Sequence, residues 1–130
     1  MESLLYEILC LQQRNTDQRP SWPVEAMLQH IEAHADRQVS IEELAAVAGL
    51  SPAYAARQFK AQMGLPPVRY ATEVRMRRAA AWLRDDAQVS IIEIAKRVGY
   101  DDPYHFSRCF KRWAGISPRA WREREANVSR

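Results

Sequence analysis

Residues 38–70 read QVSIEELAAVAGLSPAYAARQFKAQMGLPPVRY, and residues 88–121 read QVSIIEIAKRVGYDDPYHFSRCFKRWAGISPRAW. The second stretch repeats the first. Gln38-Val39-Ser40-Ile41 returns as Gln88-Val89-Ser90-Ile91, and Glu43, Ala45 and Gly49 return at an offset of 50 as Glu93, Ala95 and Gly99. One extra residue moves the offset to 51. Pro52, Arg57, Phe59, Lys60, Gly64 and Pro67 then match Pro103, Arg108, Phe110, Lys111, Gly115 and Pro118, and Tyr70 meets another aromatic, Trp121. Ten identities over the 30 aligned positions 41–70, all at sites with structural meaning, mark a duplication. Two copies are too few for a solenoid. The chain is built from twin units.

Each unit carries the same punctuation. Ser40-x-x-Glu43 and Ser90-x-x-Glu93 are capping boxes, in which the serine hydroxyl accepts from the third amide and the glutamate reaches back. Val39 with Leu44, and Val89 with Ile94, stand where a hydrophobic staple fixes the entry of the chain. The first helix is short and stops at Gly49 or Gly99, where a left-handed residue costs little. The next restarts at once, with Ser51 or Asp102 as cap and Pro52 or Pro103 at the first helical position. The small Ala45 and Ala95 let the second helix lie close against the first. Short helix, glycine turn, second helix is the helix-turn-helix arrangement. A single corner of this kind suits an ordinary helical bundle; two in register favour the helix-turn-helix.

The second helices show which face meets a partner. Ala55 and Phe59 point inward in unit one, leaving Ala53, Ala56, Arg57 and Lys60 outward at i, i+3, i+4, i+7. Phe106 and Phe110 point inward in unit two, with Cys109 and Trp113 near that side. Tyr104, Ser107, Arg108 and Lys111 point outward, flanked by His105 and Arg112. Exposed cations also suit a solvated amphipathic helix, but the duplicated Arg-x-Phe-Lys turns the balance to DNA. Arginine pairs bidentately with guanine O6 and N7, while lysine neutralises phosphate. The reading assigns base contacts to Ala53, Ala56, Arg57, Tyr104, His105, Ser107 and Arg108, and phosphate contacts to Lys60, Lys111 and Arg112.

Between the units, residues 67–84 (PVRYATEVRMRRAAAWLR) form a long helix with Met76, Ala79, Ala80 and Leu83 on its apolar side. Eighteen residues at 1.5 Å each make a spacer of ~27 Å, suited to two helices addressing major-groove segments ~34 Å apart. Arg75, Arg77, Arg78 and Arg84 add positive charge to it, against Glu73 alone. Upstream, Val24, Met27, Leu28, Ile31 and Ala35 keep helical spacing, residues 14–23 read as a linker, and residues 3–13 (SLLYEILCLQQ) form a Leu-rich helix. No period-2 strand pattern occurs, so the fold class is all-α. The organisation is an N-terminal helix and linker over 1–21 and a binding domain over 22–130. That domain divides into lobe one (24–66), linker helix (67–84) and lobe two (88–125).

Charge agrees with this layout. The 130 residues carry a net +3, but residues 1–50 hold 3 basic and 8 acidic side chains, and residues 51–130 hold 16 and 8. The excess lies in the linker helix, the two second helices and Arg119, Arg122, Arg124 and Arg130. A hydrophobic content of 47% excludes intrinsic disorder, and no apolar run approaches a membrane span. Two cysteines, Cys10 and Cys109, fit a reducing compartment, and the acidic N-terminus does not resemble a signal peptide. The expected compartment is the bacterial cytoplasm. His30 and His34, at i, i+4, could face zinc together, but no third ligand is apparent. They read as a structural or solvated pair, and neither metal nor cofactor is expected. No phosphate loop, nucleophile elbow or carboxylate pair is present to carry an enzyme mechanism.

The residues Ile91-x-Glu93-Ile94-Ala95-x-x-Val98-Gly99-Tyr100-x-Asp102-x-x-x-Phe106-x-Arg108-x-Phe110-Lys111-Arg112-x-x-Gly115-x-x-Pro118-x-x-Trp121-Arg122 resemble the signature of AraC/XylS-type transcription regulators. The resemblance runs from about residue 24 to residue 124 and includes Ile31-Glu32-x-His34 and Arg75-Met76-x-x-Ala79-x-x-x-Leu83. It implies seven helices in two helix-turn-helix lobes joined by one long helix, binding asymmetric DNA sites as a transcriptional activator. The sequence makes three departures from the family's pattern. Ala55 replaces the usual buried leucine and thins the first lobe's core. Ala53 and Ala56 stand where many relatives carry larger readers, leaving Arg57 as that lobe's main hydrogen-bonder, although alanine still touches thymine methyls. Trp121 stands where tyrosine is common.

Family members commonly add an N-terminal ligand-sensing and dimerising domain. Residues 1–21 look like the last helix and hinge of one, which leaves open a piece of a longer regulator or a single-domain activator. Expected partners are double-stranded DNA, RNA polymerase, and a second copy held through residues 3–13 or through such a domain. The rival reading is a helical interaction module that holds an acidic partner, such as polymerase subunits, through residues 4–11 or an arginine face.

Overall fold

The computed structural model describes residues 19–128. Seven helices and no strand occur among them: α1 (Trp22–Ala33), α2 (Ile41–Ala48), α3 (Pro52–Met63), α4 (Pro67–Asp85), α5 (Ile91–Arg97), α6 (Pro103–Ala114) and α7 (Pro118–Val128). The expected all-α architecture, with two helix-turn-helix pairs and a long helix between them in the chain, is what the protein adopts. The expected helix over residues 3–13 lies outside the described residues, as do Cys10 and Arg130.

The helix starts follow the caps. Ser40 Oγ accepts from the Glu43 amide at 3.1 Å, and Ser90 Oγ accepts from the Glu93 amide at 3.0 Å. The carboxylates of the two glutamates face other side chains. Glu43 Oε2 lies 2.5 Å from His30 Nε2, and Glu93 Oε1 lies 3.5 Å from Arg97 Nε one turn on. Ser51 Oγ accepts from the Tyr54 amide at 3.3 Å and Asp102 Oδ1 from the Tyr104 amide at 2.9 Å, so both second helices are capped where the repeat places the cap.

The helix ends are duplicated too. The amides of Gly49 and Leu50 donate to the carbonyls of Ala46 and Ala45, and those of Gly99 and Tyr100 donate to the carbonyls of Lys96 and Ala95. This is the same Schellman closure twice, with Gly49 at φ 69° and Gly99 at φ 87°. In unit two the helix proper ends at Arg97, with Val98 as cap and the glycine one residue beyond.

Two compact units emerge. The first contains α1, α2, α3 and the start of α4 as far as Tyr70; the second contains the rest of α4, α5, α6 and α7, together with the short segment His34–Gln38. Unit one buries Val24, Met27 and Ile31 of α1, Leu44, Ala45 and Ala48 of α2, and Ala55, Phe59 and Met63 of α3. Phe59 meets Tyr70 edge to face at 5.5 Å. Unit two closes around Met76, Ala79, Ala80 and Leu83 of α4, with Ile94, Ala95, Val98, Tyr100, Phe106 and Phe110. Trp121 joins this core by its ring, 5.9 Å from Phe110, and by its indole nitrogen, which donates to the Ala80 carbonyl at 3.2 Å. Cys109 is partly buried against the same core, as its inward reading requires.

Candidate nucleic-acid interface

The second helix of each unit presents two chemically distinct faces. In α3, Ala55 and Phe59 are fully buried, while Ala53, Arg57 and Lys60 are exposed and Ala56 is half-buried. In α6, Phe106 and Phe110 are fully buried, while Tyr104, His105, Arg108, Lys111 and Arg112 are exposed and Ser107 is half-buried. The inward residues fasten the helix, because burying a phenylalanine is worth about 1.5–3 kcal/mol. The residues between them by helical phase are thereby held outward. Neither α3 nor α6 contains an acidic side chain, so their outer faces carry cations alone.

The two faces differ in content. On α6, Tyr104 is 76% exposed at the first turn, followed by Ser107, Arg108 and Lys111. Its neighbour His105 lies edge to face on Tyr100 at 5.3 Å, which orients the imidazole without burying it. On α3 the first turn offers Ala53 and Ala56, and Arg57 lies 5.8 Å from the centre of the Tyr54 ring. Tyr54, 44% exposed, is missing from the residues selected by sequence. The repeat itself contains the signal, since an offset of 51 aligns Tyr54 with His105.

Arg75 corrects the charge reading. Counted by sequence among the cations that charge the linker helix, it is 3% exposed, the one charged side chain buried among the described residues. Its Nε donates to the Val98 carbonyl at 2.7 Å and its Nη2 to the Gly99 carbonyl at 3.3 Å, and the guanidinium stacks on Tyr100 at 4.2 Å. Burial pulls its pKa below the ordinary arginine value. Tyr100 moves the other way: burial pushes its phenol up to about 12, against the opposing pull of Arg75.

Other arginines counted in the basic excess are also engaged. Arg84 bonds Asp85 at 2.8 Å, which raises the arginine pKa and lowers that of the carboxylate. Arg122 donates to the carbonyls of Leu83 and Asp86, both at 3.1 Å, closing the end of α4. Arg124 lies 4.7 Å over Trp121. Arg77 and Arg78 remain exposed on α4. His30 lies on α1, which ends at Ala33, and His34 belongs to the turn that follows.

Comparison with known proteins places this arrangement. A family profile described as "Helix-turn-helix domain" matches residues 44–124. The MmsAB operon regulatory protein of Pseudomonas aeruginosa is 33% identical over 95 residues, covering 73% of this chain and 31% of that protein. The transcriptional activator RhaS of Klebsiella pneumoniae is 39% identical over 97 residues, covering 75% of this chain and 34% of that protein. The chain thus spans about a third of the length of these curated relatives. Among solved structures, the C-terminal domain of AraT, a response regulator from Geobacillus stearothermophilus, is similar with a TM-score of 0.77 and 34% identity, covering 82% of this chain and 88% of that one. The DNA-binding domain of AdpA, a global transcriptional factor solved in complex with a target DNA, gives a TM-score of 0.72 and 29% identity over 79% and 92%.

Proposed function

The chain belongs to the AraC/XylS-type family of helix-turn-helix transcription regulators, and on that footing we propose that it binds double-stranded DNA sequence-specifically and activates transcription. Each unit inserts its second helix into the major groove, and the two helices address adjacent segments. One observation carries the reading. Arg57 and Lys60 on α3, and Arg108 and Lys111 on α6, stand exposed in the same register, opposite the buried Phe59 and Phe110. Arg57 and Arg108 read guanine; Ala53 and Ala56 touch thymine methyls; Tyr104, His105 and Ser107 complete the second set; Lys60, Lys111 and Arg112 neutralise phosphate. The AdpA domain, solved with a target DNA, and RhaS, an activator, support the binding and the direction of regulation by likeness. The cytoplasm is the proposed compartment and RNA polymerase the proposed protein partner. A dimer is proposed through residues 3–13 or through an additional N-terminal domain.

Selection of the full 130-residue chain on a random-sequence duplex pool tests this reading. The expected product is an asymmetric site with two preferred segments about one helical turn apart, bound with an affinity that falls steeply as salt rises. A pool that yields no preferred sequence, or an affinity indifferent to salt, removes DNA reading and leaves the acidic-partner module.

A further inference from the structure

Arg75 stands on α4, outside both reading helices, yet it closes the turn that leads into the second of them. Its two donors engage successive carbonyls, Val98 and Gly99, at the end of α5. The Val98 carbonyl is the cap's own and that of Gly99 follows it, at a helix C-terminus where the backbone dipole favours a cation. Its guanidinium plane lies 4.2 Å from the ring centre of Tyr100, the next residue of the turn. Tyr100 in turn meets His105 edge to face at 5.3 Å and Phe106 at 5.6 Å, both in the first turn of α6. A continuous series of contacts therefore runs from α4 to the turn of α6 that carries Tyr104 and His105. The corresponding position in unit one, one residue past the glycine, is Leu50, which has neither a ring nor a hydroxyl.

We infer that Arg75 is a positioning residue for base recognition: by clamping the turn and the Tyr100 ring, it sets the pose of the first turn of α6 and so the base preference of unit two. Burying a guanidinium with no carboxylate partner is costly, and a methionine would fill much of the same volume without that cost. The five donors of arginine in a rigid fork suit two carbonyls and a ring at once, which a lysine ammonium does not match. The inference rests on the DNA-reading function proposed above and goes beyond it in assigning specificity to a residue that touches no DNA.

The experiment compares the full chain with Arg75→Lys and Arg75→Met on the selected duplex, on its single-base variants and on random-sequence DNA. Positions read by each unit are identified beforehand as those whose preference is lost in Arg57→Ala or in Arg108→Ala. Both Arg75 variants are expected to lose about tenfold in discrimination at the positions assigned through Arg108, since a bidentate reader is worth that much when aligned. Discrimination at the positions assigned through Arg57, and affinity for random DNA, should stay within about twofold. The folded fraction cancels in the ratio between two duplexes, so a less stable variant still answers the question. Unchanged ratios at the Arg108 positions overturn the inference. So does an equal loss on all DNA, which marks Arg75 as structural support only. Failure of the unsubstituted chain to prefer any sequence refutes the DNA reading itself, and with it this inference.

Discussion

Arg57, Arg75 and Arg108 bear one guanidinium each, and burial divides them between two kinds of work. Arg57 and Arg108 keep theirs in water on helices held by Phe59 and Phe110, where a base edge could take both donors. We predict that Arg57→Ala and Arg108→Ala each lose ~1–3 kcal/mol on the selected site and relax its base preference. Equal losses on selected and random DNA in a binding titration contradict the base-reading role. Charge counting ignores phase and so groups Arg75 with the other cations of the linker helix. Its position four residues before Ala79 and eight before Leu83 already set it on the apolar side of α4. What spacing could not reveal is that two carbonyls and a tyrosine ring, 23 to 25 residues on, accommodate the charge there. Tyr100 yields a pH prediction. With its phenol pushed from 10.0 to about 12, mainly by burial, the folded protein holds the phenolic proton more tightly than the unfolded chain does. That stabilisation is present below about pH 10 and is lost as pH rises towards about 12. Urea unfolding across this window should show the parent losing stability more steeply than Tyr100→Phe; identical pH dependences contradict the assignment.

At the scale of the element, nearly every boundary was legible, because caps and C-terminal turns act within one turn of helix. The serine caps, the two proline starts and the duplicated glycine closure all stand where the repeat put them. The two closures nevertheless differ in their surroundings. At Gly49 an added Cβ meets nothing within 4 Å, whereas at Gly99 it would lie 2.5 Å from Arg37 Cα and 2.8 Å from the Asp36 carbonyl. Gly49→Ala should therefore cost only the left-handed backbone penalty, roughly 1–2 kcal/mol. Gly99→Ala should cost clearly more, because a backbone must also move. Chemical denaturation of the two variants checks this, and equal losses would mean that the 34–38 segment yields freely. Sequence spacing offered no hint of the difference, since Gly99 and Arg37 lie 62 positions apart in the chain.

For the whole molecule, a net charge of +3 is uninformative until it is divided between the acidic first fifty residues and the basic remainder. Of that remainder, only the cations left in solvent can release counterions from DNA. We predict that Lys60→Ala or Lys111→Ala weakens binding to all sequences alike and lowers the slope of log affinity against log salt by about 1. A sequence-selective loss contradicts the phosphate assignment. The same substitution pattern separates the DNA reading from an acidic protein partner, whose binding would not follow a duplex's counterion slope. Taken alone, the sequence determined the twin units, the helix limits and the inward and outward faces of α3 and α6. Those follow from capping, helical period and side-chain polarity, which act between residues a few positions apart. Tertiary structure decided what depends on distant groups meeting: that Arg75 is internal, that His30 turns to Glu43, and that Gly99 has no room for a side chain. Burial and long-range hydrogen bonding set those outcomes, and neither has a period in the sequence.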